Sequence, residues 1–570
     1  MEEQNVKLKF NILAIICIIM FSFVLAPVTL QNDTYYTIKI GEHIVNQGID
    51  MKDPFSWHED LSYTYPHWAY DTGTYLIYNL GEMTNIQDGG MIFIYVSTAI
   101  LSCVLGVLIY ITSCKISKNN LVSFILTMFV MYLVKDFIAA RAQLVTFILF
   151  VLTILFIESF LESKKKRYLI GIALISIIIA NVHVAVWPFF FILFLPYITE
   201  YIISCILEKN IVSKLVLLSH RLEIKKIEKK SIKEKNEEKK NKLEIKLEKQ
   251  KEKLIVQEEK ETKIIEKAKE RRNNPYRLKI EKNTATKWLI LVMIICAFTG
   301  LLTPLGDTPY TYLVKTMQGT TMNNISEHLP LTLYNDKATM VVFALFFAIL
   351  IFTDTKIKLS DFFMIAGLIF LSFASRRQIS MLLIIGVYIF AKWIDYLFKK
   401  YDAKGCKKFT KLMTTLVGKV LTISIVILIC ICFIKPKLND KFVNSNKYPV
   451  EASTWILENL DIDNMRIYNE YNYGSYLLYR GIPVFIDSRA DLYAPEFNKK
   501  EGEDGRDIFS DYINISSIGT YYEIKFEKYD ITHVIVVNNA KLNMFLSRNR
   551  EYKELYRDDN FTIYERNVKN

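Results

Sequence analysis

Blocks of apolar residues alternate with short polar segments over the first three quarters of the chain. Many of these blocks approach the about 20 residues that a membrane-spanning helix needs. Since only helices and closed barrels satisfy their backbone hydrogen bonds within lipid, the pattern predicts a polytopic α-helical membrane protein. We expect eleven spans. They cover residues 10–30, 91–114, 121–133, 144–161, 169–181, 185–207, 288–302, 338–352, 362–374, 379–398 and 412–434.

The pattern changes after the last span. Short runs at 466–468, 484–486, 534–537 and 561–564 predict strands, and segments between them predict short helices. This alternation indicates a small α/β domain. We therefore divide the chain into a transmembrane domain (residues 1–434) and a C-terminal exported α/β domain (residues 435–570).

Composition supports this division. Hydrophobic residues make up 51% of the chain and the mean hydropathy is +0.19, which excludes a soluble enzyme and a disordered protein. The eight cysteines lie within or beside apolar segments, apart from Cys406 in a basic loop. We expect neither a disulfide framework nor a cysteine-rich zinc site.

The connecting loops fall into two sets by charge. One set is rich in Lys and Arg, for example residues 164–167 and 399–411. The other is poor in them: the first long loop (residues 31–90) has only Lys39 and Lys52 against nine acidic residues. Since cytoplasmic loops carry the excess of Lys and Arg, we expect a multi-pass protein of the cell membrane. Its N-terminus would be cytoplasmic and its C-terminal domain extracytoplasmic.

Most of the net charge of +12 is local. Residues 221–282 contain 23 Lys and Arg against 14 Asp and Glu. Their high helical propensity predicts a solvated cytoplasmic helical insert within residues 208–287, which could contact anionic lipid. The insert lacks interleaved aromatic residues and nucleic-acid-binding motifs, so we expect no nucleic-acid partner.

Ionisable residues gather at the predicted outer ends of the spans. Asp33 follows the first span by three residues, where a carboxylate would meet both lipid and water. Such a base could activate an acceptor for transfer from a lipid phosphate, or Asp33 could simply be a solvated acid at a helix end, which is the commoner case for an isolated aspartate. Four cations could stabilise the departing phosphate, or could simply snorkel or form ion pairs. They are Lys135, Arg141, Arg376 and Arg377.

Further polar candidates follow other spans. Glu327 and His328 lie in one loop and His183 ends a span, where hydrogen-bonded structural histidines are common. Asp136 stands beside Lys135, and an ion pair would explain it. Should Asp33, Asp136 and Glu327 converge, Mg²⁺ or Mn²⁺ is the expected cofactor.

Four stretches resemble the GT-C superfamily of polytopic glycosyltransferases, which use lipid-phosphate sugar donors and include the oligosaccharyltransferase catalytic subunit and protein O-mannosyltransferases. They are Asn32-Asp33-Thr34-Tyr35-Tyr36, Ala140-Arg141-Ala142-Gln143 with Asn181-Val182-His183, Ile325-Ser326-Glu327-His328-Leu329-Pro330, and Tyr471-Asn472-Tyr473-Gly474 with residues 484–491. The Trp-Trp-Asp-Tyr-Gly signature for N-glycosylation sequons is absent, and no Asp-x-Glu follows the third span.

The resemblance implies an integral membrane glycosyltransferase with Asp33 as catalytic residue. Its donor would be a polyprenyl-phosphate or pyrophosphate sugar, its acceptor a protein or envelope polymer, and its reaction would invert the anomeric carbon. Asp487, Arg489 and Asp491 would line an acceptor groove or form a buried salt-bridged turn. The residues also leave open a lipid-linked polymer flippase or exporter and a non-catalytic membrane scaffold.

Overall fold

The computed structural model describes residues 2–208, 211–233, 237–272, 278–319, 321, 324–332, 337–352, 356–499 and 504–567. Its N-terminal part contains α1 (Glu2–Leu25), α2 (Asn32–Gln47), α3 (Trp68–Glu82), α4 (Gly89–Ser117), α5 (Asn120–Leu133), α6 (Ala142–Ser163), α7 (Arg167–Val182), α8 (Trp187–Ile192) and α9 (Leu195–Glu208). The charged insert forms α10 (Ile211–Lys233) and α11 (Glu237–Arg272).

The chain then returns to apolar helices. The apolar ones are α12 (Thr286–Thr299), α14 (Lys337–Phe352), α15 (Leu359–Ala374), α16 (Ile379–Tyr401) and α18 (Leu416–Ile434), and two more polar helices, α13 (Thr308–Gln318) and α17 (Ala403–Met413), lie between them. The C-terminal part contains α19 (Val450–Asn459), α20 (Tyr471–Tyr479), α21 (Pro495–Asn498), α22 (Ile508–Ser516), α23 (Tyr522–Lys528) and α24 (Lys541–Leu546). The strands are β1 (Leu278–Lys279), β2 (Ile357–Lys358), β3 (Ile467–Tyr468), β4 (His533–Val537), β5 (Tyr552–Arg557) and β6 (Phe561–Arg566).

Within the described residues, six helical segments are long and apolar enough to cross a membrane. They are Glu3–Leu25, Gly89–Ser117, Ala142–Ser163, Val184–Leu207, Arg376–Tyr401 and Leu416–Lys437. Five shorter apolar helices accompany them, namely α5, α7, α12, α14 and α15. Each of the eleven predicted segments coincides with one of these helices, but the number that cross a membrane stays a prediction.

Local sequence explains where several helices begin and end. Pro27 follows α1, and the residue before a proline is sterically disfavoured in a helix. The Asn119 side chain accepts a hydrogen bond from the Val122 amide (3.2 Å), so it caps the start of α5. Arg141 has extended backbone angles and directly precedes α6.

Buried side chains form two cores. The first lies among the apolar helices and includes Phe10, Phe150 and Trp393. The second joins residues of the first long loop, such as Tyr35 and Tyr65, to residues of the C-terminal domain, such as Phe485. The loop at residues 31–90 and the C-terminal domain therefore fold against each other.

The C-terminal domain contains a four-stranded sheet in the order β3-β4-β6-β5. β3 pairs with β4 in parallel, and β6 is antiparallel to both β4 and β5. Val534, Ile535 and Val536 are consecutive residues of β4, and all three are fully buried. Since successive side chains of a strand point to opposite faces, both faces of β4 are covered. The predicted strand at 484–486 is wrong: Val484 forms one isolated bridge with Ser56.

α10 and α11 of the insert pack as a helical hairpin. An ion pair between Arg221 and Glu258 (2.9 Å) and a hydrogen bond between His220 and Gln250 (3.1 Å) join them. These contacts agree with the predicted helical insert. Residues 209–210, 234–236 and 273–277 of the insert lie outside the described residues.

Candidate functional site

Asp33 lies in the first turn of α2, where the helix dipole favours a negative charge. The neighbouring Asn32 side chain donates a hydrogen bond to the Tyr471 carbonyl (2.9 Å) in the C-terminal domain. The Thr34 hydroxyl donates to the Ala140 carbonyl (3.3 Å), immediately before Arg141. These two contacts place the start of α2 between the apolar helices and the C-terminal domain.

Arg141 brings two predicted acidic residues together. Its Nε atom is 3.0 Å from Asp33 Oδ2, and its Nη1 atom is 3.6 Å from Glu327 Oε1. The side chains of Arg141 and Asp33 each retain 24% of their exposure, so the pair is only partly shielded from water. Residues separated by nearly 300 positions thus share one ionic cluster.

Backbone hydrogen bonds connect the Glu327 loop to the adjacent residues Arg376 and Arg377. The Arg377 amide donates to the Glu327 carbonyl (3.1 Å), and the Arg376 amide donates to the Leu329 carbonyl (3.0 Å). Arg376 and Arg377 occupy a 3-10 turn between α15 and α16. The turn and the loop therefore hold each other in place beside Arg141.

A polar cavity of about 530 Å³ lies at this cluster. The apolar-helix part and its loops contribute Asp33, Arg141, His183, Glu327, His328 and Arg377 to its wall. The C-terminal domain contributes Tyr471, Asn472, Arg489, Asp491 and Tyr512. A cavity of this size can hold a small polar ligand, with charged groups converging on it from both parts of the molecule.

Two smaller cavities adjoin the polar cavity. A lateral cavity of about 390 Å³ shares Arg141, Glu327 and Arg377 with it. An apolar slot of about 60 Å³ shares His183 and Arg377. Its apolar wall is formed by Phe147, Phe150, Phe189, Ile192, Leu193, Leu368, Leu371 and Met381. Arg377 thus borders all three spaces.

The Arg377 guanidinium has donors to spare. One of its terminal nitrogens donates to Gln143 Oε1 at 3.2 Å. Among the described residues, no carboxylate forms an ion pair with it, in contrast to Arg141. A guanidinium carries five N–H donors and stays charged. Arg377 can therefore bind an anionic group at the place where the three cavities meet.

Lys135 and Asp136 take a different position. They form a pair with each other at 3.4 Å, and the Asp136 side chain is 82% exposed. Asp136 borders the lateral cavity, whereas Lys135 is absent from the walls of all three cavities. The simple ion pair is the interpretation that these contacts favour.

Asp487 and Arg489 form a buried salt-bridged turn. Arg489 donates to both Asp487 oxygens (2.9 and 2.7 Å) and to Asp53 of the first loop (2.7 Å). The Tyr493 hydroxyl donates to Asp487 at 2.6 Å. Of the two interpretations, these contacts favour the structural turn, although Arg489 also reaches the cavity wall. Asp491 borders the cavity too and accepts a hydrogen bond from the Tyr312 hydroxyl.

Three histidines line the polar cavity. His67 was not among the sequence candidates, and its ring lies 4.8 Å from that of His183. The Nδ1 atom of His183 forms a hydrogen bond with the Thr146 hydroxyl (2.9 Å). Burial, reinforced by Arg377, lowers the pKa of His67 to about 4, and burial also lowers the pKa of His328. His67 is therefore neutral at physiological pH.

The predicted divalent cation finds no ready set of ligands. Asp33 and Glu327 both face the Arg141 guanidinium, whose single positive charge offsets one of their two negative charges. In the part of the chain that the structure describes, no group of three or more His, Cys, Asp or Glu residues could hold a metal ion. The donor set as arranged does not fit Mg²⁺ or Mn²⁺, and the metal requirement stays a prediction.

Sequence reasoning missed His67 and several tyrosines of the cavity wall, including Tyr63, Tyr312 and Tyr512. Single aromatic residues outside the apolar segments carry no spacing signal that distinguishes a cavity wall from a core. No protein-family model matches the chain, and no curated protein shows significant similarity to it. The apolar helices define a membrane protein, and its activity has to be argued from the site.

Proposed function

We propose that this chain is an integral membrane glycosyltransferase of the GT-C type. It would transfer a sugar from a polyprenyl-phosphate or pyrophosphate donor to an acceptor at the outer face of the membrane. The observation that carries the proposal is the position of Arg377, which borders a polar cavity, a lateral cavity and an apolar slot.

The order of apolar, anionic and polar parts in such a donor is consistent with these surroundings. Its hydrocarbon chain is apolar, its phosphate is anionic and its sugar is polar, in that order along the molecule. The apolar slot, the Arg377 guanidinium and the polar cavity follow the same order. Charge-assisted hydrogen bonds from Arg377, with Arg141 beside it, would hold the phosphate.

Asp33 is the proposed general base. It accepts the proton of an acceptor hydroxyl while that oxygen forms a bond to the anomeric carbon. The bond from the anomeric carbon to the phosphate oxygen breaks, and the electron pair leaves with the lipid phosphate. Arg377 and Arg141 stabilise the negative charge that develops there, and Glu327 orients the acceptor from across Arg141.

The C-terminal domain completes the cavity from the acceptor side. Asn472 and Asp491 contribute polar groups to its wall, and Tyr312 fixes the Asp491 carboxyl. The acceptor would therefore reach Asp33 along the interface between the apolar helices and this domain. A protein and an envelope polymer both remain candidates for it.

Transfer from a lipid-linked radiolabelled sugar, measured in membranes containing the chain, tests the proposal. Asp33→Asn should lower kcat at least about 100-fold, since general-base catalysis typically contributes that much. Arg377→Met should instead raise the donor KM, about 10-fold or more, because a charge-assisted contact is lost. The matched control is Asp88→Asn, an exposed aspartate of the same loop that borders none of the three cavities.

The same assay separates the alternatives. Near-wild-type transfer by Asp33→Asn would remove Asp33 from the mechanism. Movement of lipid-linked sugar across the bilayer without transfer would favour a flippase or exporter. A scaffold would retain its cellular role when Asp33 and Glu327 are both replaced.

A further inference from the structure

The C-terminal end of α1 is capped by a single lysine from the 3-10 turn that directly follows α18. The Lys437 ammonium donates to the carbonyl oxygens of three successive residues. The distances are 2.7 Å to Val24, 3.1 Å to Leu25 and 2.9 Å to Ala26. The last carbonyls of a helix have no partner within the helix, and a cation there also complements the helix dipole.

The other carbonyls of this last turn already have donors. Ser102 donates to the Ser22 carbonyl (2.8 Å), and the Ala26 amide makes a long contact with the Phe23 carbonyl (3.4 Å). All three ammonium hydrogens of Lys437 therefore have acceptors, and the end of α1 is fully satisfied.

The residues after Lys437 lie beside the segment that follows α1 and form hydrogen bonds with it. The Thr29 hydroxyl donates to the Lys441 carbonyl (2.9 Å), and the Leu30 amide donates to the Phe442 carbonyl (2.9 Å). The Tyr448 hydroxyl donates to the Leu30 carbonyl at 3.2 Å. We call residues 437–448 the strap, because they hold residues 24–30 at several points.

The held segment leads directly to Asp33. Pro27 interrupts the helix, so the direction of the chain between α1 and α2 is not set by helical hydrogen bonds. Asp33 lies three positions after Leu30, and the strap fixes Leu30 on both its amide and its carbonyl. The Tyr448 ring also packs edge-on against Tyr35 (5.1 Å), two residues after Asp33.

We propose that Lys437 is a positioning residue, which fixes the end of α1 and thereby sets the place of Asp33 in the polar cavity. This inference rests on the proposed function for its consequence in catalysis, but its structural part stands by itself. Lys437 borders none of the three cavities, so it acts through the backbone and not through a substrate.

Three variants of the full-length chain in membranes test the inference. Lys437→Met removes the three hydrogen bonds, and Lys437→Arg retains a cationic donor. Lys435→Met is the matched control, because Lys435 is exposed, lies on the same 3-10 turn and has no side-chain partner among the described residues. The measurements are steady-state transfer kinetics and hydrogen exchange of the peptide that contains residues 28–36.

Lys437→Met should lower kcat about 10-fold, since small misplacements of a catalytic group are costly. Its donor KM should stay within about 2-fold, because Arg377 and Arg141 are unchanged. Exchange should rise about 10-fold in residues 28–36 and remain unchanged in α16. Lys437→Arg should restore both readouts, and Lys435→Met should match the wild type.

The two proposals fail separately. Unchanged exchange at residues 28–36 in Lys437→Met overturns the positioning role, whatever the kinetics. Faster exchange throughout the molecule also overturns it, because Lys437 would then support general stability. If the wild-type chain transfers no sugar, while Lys437→Met still loosens residues 28–36 and Lys437→Arg restores them, the positioning of Asp33 stands and the proposed function falls.

Discussion

Asp71 is an acidic residue whose surroundings oppose its charge. It lies in α3 with no exposed surface, and no hydrogen bond of ordinary geometry reaches its carboxyl oxygens. Burial raises the pKa of Asp71 well above its ordinary value, and the nearby Thr37 hydroxyl and the more distant Arg489 offset only part of this effect. The folded protein therefore holds a proton on Asp71 that the unfolded chain releases at lower pH.

We predict that Asp71→Asn stabilises the protein at neutral pH. Because the folded-state pKa is raised, Asp71 is protonated in both states below the unfolded pKa near 3.8, and burying it there lowers the free energy of unfolding very little. The penalty then grows as the pH rises toward the folded pKa. At pH 7 the variant should unfold about 2–4 °C higher, which corresponds to ~1 kcal/mol for a mid-sized domain.

Thermal unfolding of the purified protein at pH 4.5 and pH 7.5 measures this effect. The difference between variant and wild type should shrink at the lower pH. A variant that is less stable at both values would show that the carboxyl makes a specific contact that asparagine cannot replace.

α20 depends on one glycine for its approach to the salt-bridged turn. A β-carbon at Gly474 would overlap the Ile486 carbonyl oxygen and lie 2.9 Å from the Asp487 α-carbon. The Asn469 side chain completes this contact by donating to the same carbonyl (2.6 Å). Since the clash is with backbone, α20 would have to move away from residues 486–489.

Gly474→Ala should therefore destabilise the C-terminal domain by about 1–3 kcal/mol, the usual cost of overpacking a close contact. Gly73→Ala is the control, because a β-carbon at this position in α3 meets no atom within 4 Å. The control should be neutral or slightly stabilising, as alanine favours helices. Urea unfolding followed by tryptophan fluorescence reports both, and equal stability of the two variants would contradict the prediction.

At the scale of elements, periodicity predicted helices well and strands less well. All eleven apolar segments are helical, since a run of apolar residues in lipid has few alternatives. The expected strand at 484–486 pairs at Val484 alone with Ser56, because the first long loop takes the place of a neighbouring strand. The sequence of β5, Tyr-Lys-Glu-Leu-Tyr-Arg, does not predict a strand, because half of its residues are charged; these three charged residues are exposed at the sheet edge.

The candidate site shows the same limit. Asp33, Arg141 and Glu327 were chosen from their places beside apolar segments, and the structure brings them within ion-pair distance. Lys135 was chosen by the same reasoning and pairs with Asp136 away from the polar cavity. Which of several cations at helix ends meets a carboxylate depends on helix packing, and the spacing of residues along the chain does not encode it.

At the scale of the whole molecule, the polar cavity and the apolar slot are lined by different cores: Tyr63 and Tyr312 of the cavity wall belong to the second core, and Phe147 and Phe150 of the slot belong to the first. The first core belongs to the apolar helices, and the second combines the first long loop with the C-terminal domain. Asp33 reaches the cavity from the loop, Arg377 from the helices and Asp491 from the C-terminal domain. A ligand that fills both the polar cavity and the apolar slot would thus contact both cores and stabilise them against separation.

The distribution of Lys and Arg predicts which side of the membrane the cavity faces. We expect Ser547→Cys, exposed after α24, to react with a membrane-impermeant maleimide in intact cells. Ser219→Cys, exposed on α10, should react only after the cells are permeabilised. The parental chain, whose eight cysteines are free, sets the background.

This orientation bears directly on the proposed reaction, because one segment links the two sides. Val184–Leu207 begins next to His183 at the polar cavity and ends at the charged insert, and its 24 residues are enough to cross a bilayer. The cavity and the insert must therefore lie on opposite sides if this segment spans the membrane. Labelling of Ser219→Cys in intact cells would place Asp33 and Arg377 on the cytoplasmic side, so the donor would have to be bound from the inner leaflet.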